Sequence, residues 1–305
     1  MTELTIFSCP KPFRDEHIAR IQRNAIGSWL QLRPQVEVIL LGDEEGVDVA
    51  ATDLGARHIQ DVERNDNGTP LIRSIFQQAQ SASTASFMAY VNADILIMPD
   101  FLTFTGKVGQ RFDEFLIVGS RIDLDMQEEI SFQEGWIGEL NQLVERDGRL
   151  HKPSGSDYFI FHRGQFMEIP SFALGRAGWD NWMLYAGRRD HIPVIDASGA
   201  VLIVHQDHDY AHLPGGKPHY RHPESEHNVQ LAGGSEMMFT LQDTDWRIVD
   251  GTIRRKRWDE KEFIRFVETG LYTRFGPGRA SHAVRLLFHP VQTLRYILNL
   301  LKVRR

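Results

Sequence analysis

The chain has 305 residues, 42% of them hydrophobic and 25% charged, with a formal net charge of -7 at pH 7. That balance is ordinary for a globular protein and leaves room for one large domain or two smaller ones. A single cysteine, Cys9, excludes an internal disulfide and a cysteine-built zinc site, and fits a reducing compartment.

The opening stretch MTELTIFSC has no basic segment followed by a long apolar core, so no secretory signal is expected. No uncharged apolar run of about 18 residues is present to predict a membrane-spanning helix. Charge is unevenly placed. From Thr252 to Arg305 there are 13 Lys and Arg against 4 Asp and Glu, a net of +9, so the rest of the chain must carry -16. A basic tail on an acidic body predicts that the tail meets something anionic, and argues against nucleic-acid binding by the body.

In chain order, LTIFSC reads as a short buried strand ended by Pro10 and Pro12. HIARIQRNAIGSWLQL follows with Ile18, Ile21, Ala25, Trp29 and Leu32 at helical spacing, and Pro34 stops it. VEVILLGDE is a second strand. VDVAATDLGARHI reads as a short helix and a third strand start near His58. GTPLIRSIFQQAQ carries a Thr-Pro helix-start signal. FMAYVNADILI and FLIVGSRIDL each read as an apolar strand, with Asn92 and Asp94 interrupting the first; an ordinary turn after Val91 is the alternative there.

Further on, GSDYFIFHRGQF predicts a strand with a turn at Arg163-Gly164. GRAGWDNWMLYAGRR predicts a helix start, and AVLIV a strand. FTLQDTDWRIVDGTIRRKRW reads as a hairpin across Asp-Gly, followed by a helical tail. Alternating strands and helices predict an α/β fold with a mostly parallel sheet flanked by helices. The boundaries expected are residues 1–235 for this domain and 236–305 for a C-terminal hairpin and basic helical extension.

Polar residues cluster just past the strand ends, at Ser8, Asp43, Asp94, Arg121 and Asp123, where open α/β sheets bind ligands. A carboxylate such as Asp94 beside buried apolar residues needs a hydrogen bond, a counter-charge or a cation. The stretch HQDHDYAH sets His205, Asp207, His208, Asp209 and His212 directly after a strand, a donor mixture suited to a metal. A solvated histidine-rich loop is the alternative, and it explains His219, His222 and His227 well.

Taken in order, TIFSCPKPF, VILLGDE, ERNDNGTPLIRSIF, YVNADILI, GWDNW and IVHQDHDY resemble a nucleotide-sugar glycosyltransferase of the GT-A, Rossmann-like fold, closest to the bacterial family-two-like group. The resemblance covers roughly Thr5 to Tyr210. It implies transfer of a sugar from a nucleoside-diphosphate donor to a hydroxyl of a glycan or lipid-linked acceptor. It also implies Mn²⁺ or Mg²⁺ as cofactor, neutralising the leaving diphosphate. By the same resemblance Asp94 ligates the metal, His205 or His208 completes the site, and Asp and His together suit Mn²⁺ better than Mg²⁺. Asn92 stands where the family more often has Asp, which lowers the site charge by one, though its amide can still accept a hydrogen bond or bind a ribose hydroxyl of the donor.

The resemblance further puts Ser8, Pro10, Lys11 and Asp43 around the base and ribose, with Arg64, Asn65 and Gly68 near the phosphates. Asp180 in GWDNW takes the place of the catalytic base, between aromatics able to stack on sugar, and Asp157 is second choice. The plainer readings are a helix N-terminal carboxylate for Asp180, core positions for Trp179 and Trp182, and a cap or loop residue for Asp43.

Two rivals remain at this point. One is a metal-dependent hydrolase built on His205, Asp207 and His208; the other is a non-catalytic nucleotide- or carbohydrate-binding protein. The tail SHAVRLLFHPVQTLRYILNLLKVRR alternates basic and apolar residues, which suits either peripheral contact with an anionic membrane or packing on the acidic body. A cytoplasmic location, with peripheral attachment to the inner membrane face, follows as the expectation.

Overall fold

A computed structural model describes residues 3–154, 156–208, 222–257 and 259–290. Strand β1 (Leu4–Ser8) lies between β2 (Val36–Leu41) and β4 (Phe87–Val91), parallel to both, and β3 (Arg57–Ile59) continues the parallel order beyond β2. On the other side β9 (Tyr158–His162) runs antiparallel between β4 and β6 (Leu116–Val118). Parallel strand β10 (Val194–Asp196) follows. The hairpin β12 (Trp246–Val249) and β13 (Thr252–Arg255) completes nine strands among the described residues. The sheet is thus mostly parallel. The hairpin expected across Asp250-Gly251 is present, and it is hydrogen-bonded to the sheet of the first 235 residues through β10.

Strand pleating sorts side chains onto two helical layers. Leu4 and Ile6 of β1 face α1 (Glu16–Leu30) and α2 (Val47–Leu54), packing with Ala25, Ile26, Trp29 and Val47. Phe7 and Cys9 face the opposite layer, formed by α3 (Ile72–Ala82) and α6 (Trp179–Arg189). There Phe76 stacks on Phe161 with ring centroids 5.5 Å apart, and Phe7 meets Phe76 edge-on at 5.1 Å. Burying such rings contributes about 1.5–3 kcal/mol each relative to exposure.

Two apolar runs that read as single strands are each divided. YVNADILI ends β4 at Val91, turns through Asn92, Ala93 and Asp94, and resumes as β5 (Ile95–Ile97). FLIVGSRIDL is β6 and then β7 (Ile122–Leu124). In both, the second piece leaves the main sheet for a smaller one of order β5-β11-β7-β8, with β8 at Arg149–Leu150 and β11 at Ile203–Gln206. This sheet packs on α5 (Trp136–Asp147), with Leu96, Leu124, Leu140 and Val204 buried between them.

The Thr-Pro signal does not start a helix. Pro70 bridges to Arg64 across a turn in which the Asn65 Oδ1 accepts from the backbone N–H of Asn67 and Thr69, both at 3.0 Å, and α3 begins at Ile72. Helix α4 (Asp100–Gly109) covers the main sheet, and α7 (Pro223–Leu231), α8 (Glu260–Phe275) and α9 (Arg279–Phe288) complete the described chain. Asp209, His212 and His219, and the tail segment 291–305, lie outside the described residues.

Candidate functional site

The turn at residues 92–94 carries the backbone from one sheet to the other, so its side chains stand at the junction. Its shape is fixed from several sides. Asn92 O accepts from Ile95 N at 3.1 Å, Asp94 O accepts from Gln206 N at 3.1 Å, and Trp29 Nε1 donates to Ile95 O at 2.8 Å. Register then assembles the rest. His205 pairs with Ile95 on one side and Asp123 on the other, and Asp123 pairs with Arg149. Asp94 and His205 line a cavity of about 440 Å³, which Trp179, Asp180 and Asn181 at the start of α6 line as well.

Asp94, His205 and His208 each present one ligand atom, all within 4.8 Å of one another. The Asp94 Oδ2 lies 3.2 Å from His208 Nε2 and 4.0 Å from His205 Nε2. The other oxygen, Oδ1, is buried with no hydrogen-bond partner among the described residues. Burial alone would raise this carboxyl. The hydrogen bond to His208 and the charges of His205, Lys11 and His208 win, holding it well below the usual carboxylate range.

Behind the imidazole of His205, Nδ1 is 3.2 Å from Asp123 Oδ1 and 3.6 Å from Asp207 Oδ1, close enough for ion pairing though off the line of a straight N–H···O bond. Asp123 is itself held by Arg121 Nε at 2.8 Å and His151 Nδ1 at 2.7 Å. Desolvation would lower the His205 pKa, but Asp123, Asp207 and Asp94 together raise it to about 9.

An oxygen without a partner, two imidazoles and a carboxylate behind one of them are what a divalent cation with mixed N and O ligands requires. The residues therefore fit a metal. Asp123, His205 and Asp207 form a second such grouping, but it shares His205, and Asp207 is also ion-paired to Arg149.

Lys11 enters from the β1 end, its Nζ 3.1 Å from His208 Nε2 and 3.8 Å from Asp94 Oδ2. Burial lowers its pKa, opposed by the charge of Asp94.

Asn92 does not share the ligand cluster. Its Nδ2 donates to Asp157 Oδ1 at 2.9 Å, and Arg121 Nη1 donates to the same oxygen at 2.7 Å. An aspartate at 92 would set two carboxylates against each other. An amide satisfies Asp157 instead.

Asp180 stands in the first turn of α6, entered through Gly178 at φ 109°, a left-handed conformation that suits glycine. Partly exposed on the cavity wall, it has its pKa raised to about 6. Desolvation is the main cause and Asp157 adds to it, outweighing the N–H groups of the helix start. The tryptophans beside it belong mainly to the core. Trp182 is buried edge-on against Phe172 at 5.3 Å, while Trp179 packs on Tyr90 and Phe159 and reaches the cavity as well.

Of the residues expected around the nucleotide, Pro10, Lys11 and Asn92 line the cavity and the others do not. Ser8 lies on the opposite pleat face, its Oγ buried without a hydrogen-bond partner among the described residues, and the cavity is lined by its neighbour Cys9. Asp43 is an ion-pair partner of Arg64, which also binds Glu44 at 2.8 Å and the Gly68 carbonyl at 2.7 Å.

Asn65 Nδ2 donates to Glu224 Oε1 at 2.6 Å, and Asn67 and Thr69 donate to that same oxygen. With Arg176 Nε at 2.8 Å from Oε2, these donors hold Glu224 down at about 2, against the opposing effect of its burial. Sequence reasoning missed Arg176, His151 and Asn181 as cavity residues. All three come from loops or helix starts with no periodic signal. His222 and His227 lie in or beside α7; His222 caps it by accepting from Glu224 N at 3.2 Å.

No protein-family model matches the chain, and no curated relative matches it in sequence. Solved structures do resemble it. Glucosyl-3-phosphoglycerate synthase of Mycobacterium tuberculosis, in complex with Mn²⁺, uridine diphosphate and glucosyl-3-phosphoglycerate, is 14% identical over 85% of this chain and 88% of that one, with a TM-score of 0.46. The same enzyme with phosphoglyceric acid is 16% identical over 76% and 79%, with a TM-score of 0.47. A mannosyltransferase of Pyrobaculum calidifontis, in complex with GDP-Man and Mn²⁺, is 12% identical over 99% and 80%, with a TM-score of 0.49.

Proposed function

We propose that the chain is a metal-dependent glycosyltransferase, moving a sugar from a nucleoside-diphosphate donor to a hydroxyl acceptor. The observation that carries this reading is the pairing of two features in one cavity. One is a buried Asp94 oxygen, without a hydrogen-bond partner among the described residues, beside two imidazoles. The other is Asp180, whose pKa is raised to about 6.

In this reading Asp94, His205 and His208 hold Mn²⁺ or Mg²⁺, which supplies neutralisation of the charge that develops on the departing diphosphate. Lys11 and Arg121 add fixed positive charge to that end of the cavity. Asp157, set by Asn92 and Arg121, offers its remaining acceptor capacity to donor hydroxyls. Asp180 accepts the acceptor hydroxyl's proton as the oxygen attacks the anomeric carbon, and a base that titrates near neutrality is well matched to that step. Arg64, Asn65 and Gly68, expected near the phosphates, bond to one another and to Asp43, Glu44 and Glu224.

The finer parts of the proposal are a glycan or lipid-linked acceptor and work in the cytoplasm at the inner membrane face. Residues 1–235 carry the chemistry and 236–305 form an extension. Among the described residues no helix is long and apolar enough to cross a membrane.

The test is thermal stability of the chain with UDP, GDP, CDP and dTDP, each with and without Mn²⁺, beside an Asp94→Ala control. A nucleotide at a hundredfold excess over its dissociation constant stabilises by about 2.7 kcal/mol. A metal-dependent upward shift with one nucleotide, absent in Asp94→Ala, is the expected result. A shift with metal alone would support the hydrolase, and nucleotide shifts without any sugar transfer would support the binding protein.

A further inference from the structure

The inward side of α8 mixes apolar and polar groups: Leu271 and Tyr272 pack on the core, Glu268 and Thr269 are buried, and Arg265 binds Asp243 at 2.8 Å. Glu268 in turn accepts from Tyr272 at 2.8 Å and meets His289 at 2.9 Å. Its outward side carries Phe263, Ile264, Val267 and Phe275, with Ile264 56% and Phe275 53% exposed. Spacings of one, four and twelve residues keep these four on one helical stripe. The next helix repeats the pattern. α9 buries Ser281 and Val284 and exposes Leu286 and Leu287, the latter at 73%. A water-facing helix normally turns polar side chains outward, and a run of exposed large apolar side chains on consecutive helices marks a contact surface.

Charge says what kind of contact. The exposed or partly exposed acids of α8 lie at its start, where Asp259 and Glu262 form the capping box and Glu262 pairs with Lys256 at 3.5 Å. The only later acid, Glu268, is buried and already bound. Exposed Arg274 and Arg279 border the apolar stripe between the two helices, and the same part of the sequence, residues 252–305, carries +9 on a chain whose remainder is -16. Apolar side chains flanked by arginines suit a surface that is hydrophobic beneath and anionic on top. We infer that the outer face of α8 and α9 is a docking surface for an anionic lipid bilayer, with Phe263, Ile264, Val267, Phe275, Leu286 and Leu287 entering the headgroup boundary. Because α8 packs on α6, docking would hold the helix that bears Asp180 at the bilayer surface. The inference stands apart from the transfer chemistry and does not need it.

The test is co-sedimentation of the full chain with vesicles of phosphatidylcholine alone and of phosphatidylcholine with about 30% phosphatidylglycerol, at low and high salt. It is run beside a triple variant, Phe263→Ser, Ile264→Ser and Leu287→Ser, whose thermal midpoint is checked against the parent. The expected result is binding to the anionic vesicles only, weakened by salt, with at least a tenfold loss in the triple variant and about as large a loss in Arg274→Glu with Arg279→Glu. Three results would overturn the inference. The first is a full chain that binds neither vesicle. The second is a triple variant that binds as well as the parent, which would assign binding to residues 291–305. The third is a parent dimer that the triple variant dissolves, with no vesicle binding, which would assign the face to a second copy of the chain.

Discussion

Asp180→Asn separates a catalytic role from a structural one because the two predict opposite signs. The folded-state pKa of Asp180 is about 6, above the unfolded value of 3.8. As pH rises from 3.8 to 6 the unfolded chain therefore ionises first, and the fold loses stability over that window. Above it the penalty is constant. Converted at about 1.36 kcal/mol per pH unit and discounted for the partial exposure of the side chain, it amounts to about 1–3 kcal/mol at pH 7.5.

The asparagine variant escapes that penalty. At pH 7.5 its melting midpoint should lie above the parent's by roughly 2–6 °C, and the gap should close near pH 4. Sugar transfer should fall in the same variant by about 10²–10⁴-fold, the usual contribution of a general base, with nucleotide binding retained. For the parent, kcat/KM should drop by about tenfold per unit below pH 6, since only about a tenth of Asp180 is ionised at pH 5. Scanning calorimetry and an initial-rate pH profile check both halves. A variant that is less stable and fully active would show Asp180 to be a helix-start residue and nothing more.

Asn92→Asp should destabilise by at least about 2 kcal/mol at pH 8, since it places a carboxylate where an amide now donates to Asp157; the loss should shrink at pH 4.5 as one of the two carboxylates takes a proton. Denaturant unfolding at the two pH values measures it. Lys11→Met should tighten Mn²⁺ binding in the absence of nucleotide by about tenfold, because an ammonium 3.8 Å from Asp94 competes with the cation; titration calorimetry reads this directly, and unchanged affinity would mean that Lys11 moves away at no cost. Glu224→Ala should cost about 3–5 kcal/mol, leaving the Arg176 guanidinium and three loop donors without their acceptor. In the parent, the stability that Glu224 contributes is present above its unfolded pKa of 4.5 and is lost as pH falls towards about 2; a Glu224→Ala midpoint equal to the parent's would refute it.

Local pattern sufficed wherever one strand or helix carried its own signal. The strands LTIFS and VEVILL, the amphipathic α1 and the Asp-Gly hairpin all follow from periodicity and turn chemistry. What pattern could not supply is pairing partners. YVNADILIM and FLIVGSRIDL are apolar on both sides of a polar break, and only tertiary pairing sends Ile95–Ile97 and Ile122–Leu124 to a second sheet. The same limit hid half of the cavity. Asp94, His205 and His208 stood out as polar residues after apolar runs, whereas His151 and Arg176 are distant in sequence and reach the cavity through a strand register and a bond to Glu224. Ser8 faces away from the cavity that its neighbour Cys9 lines, since one residue along a strand means the opposite face.

The asparagine at position 92 is best understood from the charges around it. The cavity region gathers the carboxylates of Asp94, Asp123, Asp157 and Asp180. Asp94 is met by His205, His208 and Lys11; Asp123 by Arg121, His205 and His151; Asp157 by Arg121 and the Asn92 amide. Among the described residues Asp180 has no ion-pair partner, and it is the one acid of the four whose proton is held to about 6. A further carboxylate at position 92 would stand against Asp157 and would have to share Arg121 with it. Asn92 thus gives Asp157 a hydrogen-bond donor in place of a like charge, while Asp180 is the carboxylate of the four whose pKa is raised to about 6. Losing a carboxylate at this position does not subtract from the metal cluster, because the side chain at 92 is turned toward Asp157 and Asp94 alone faces the two imidazoles.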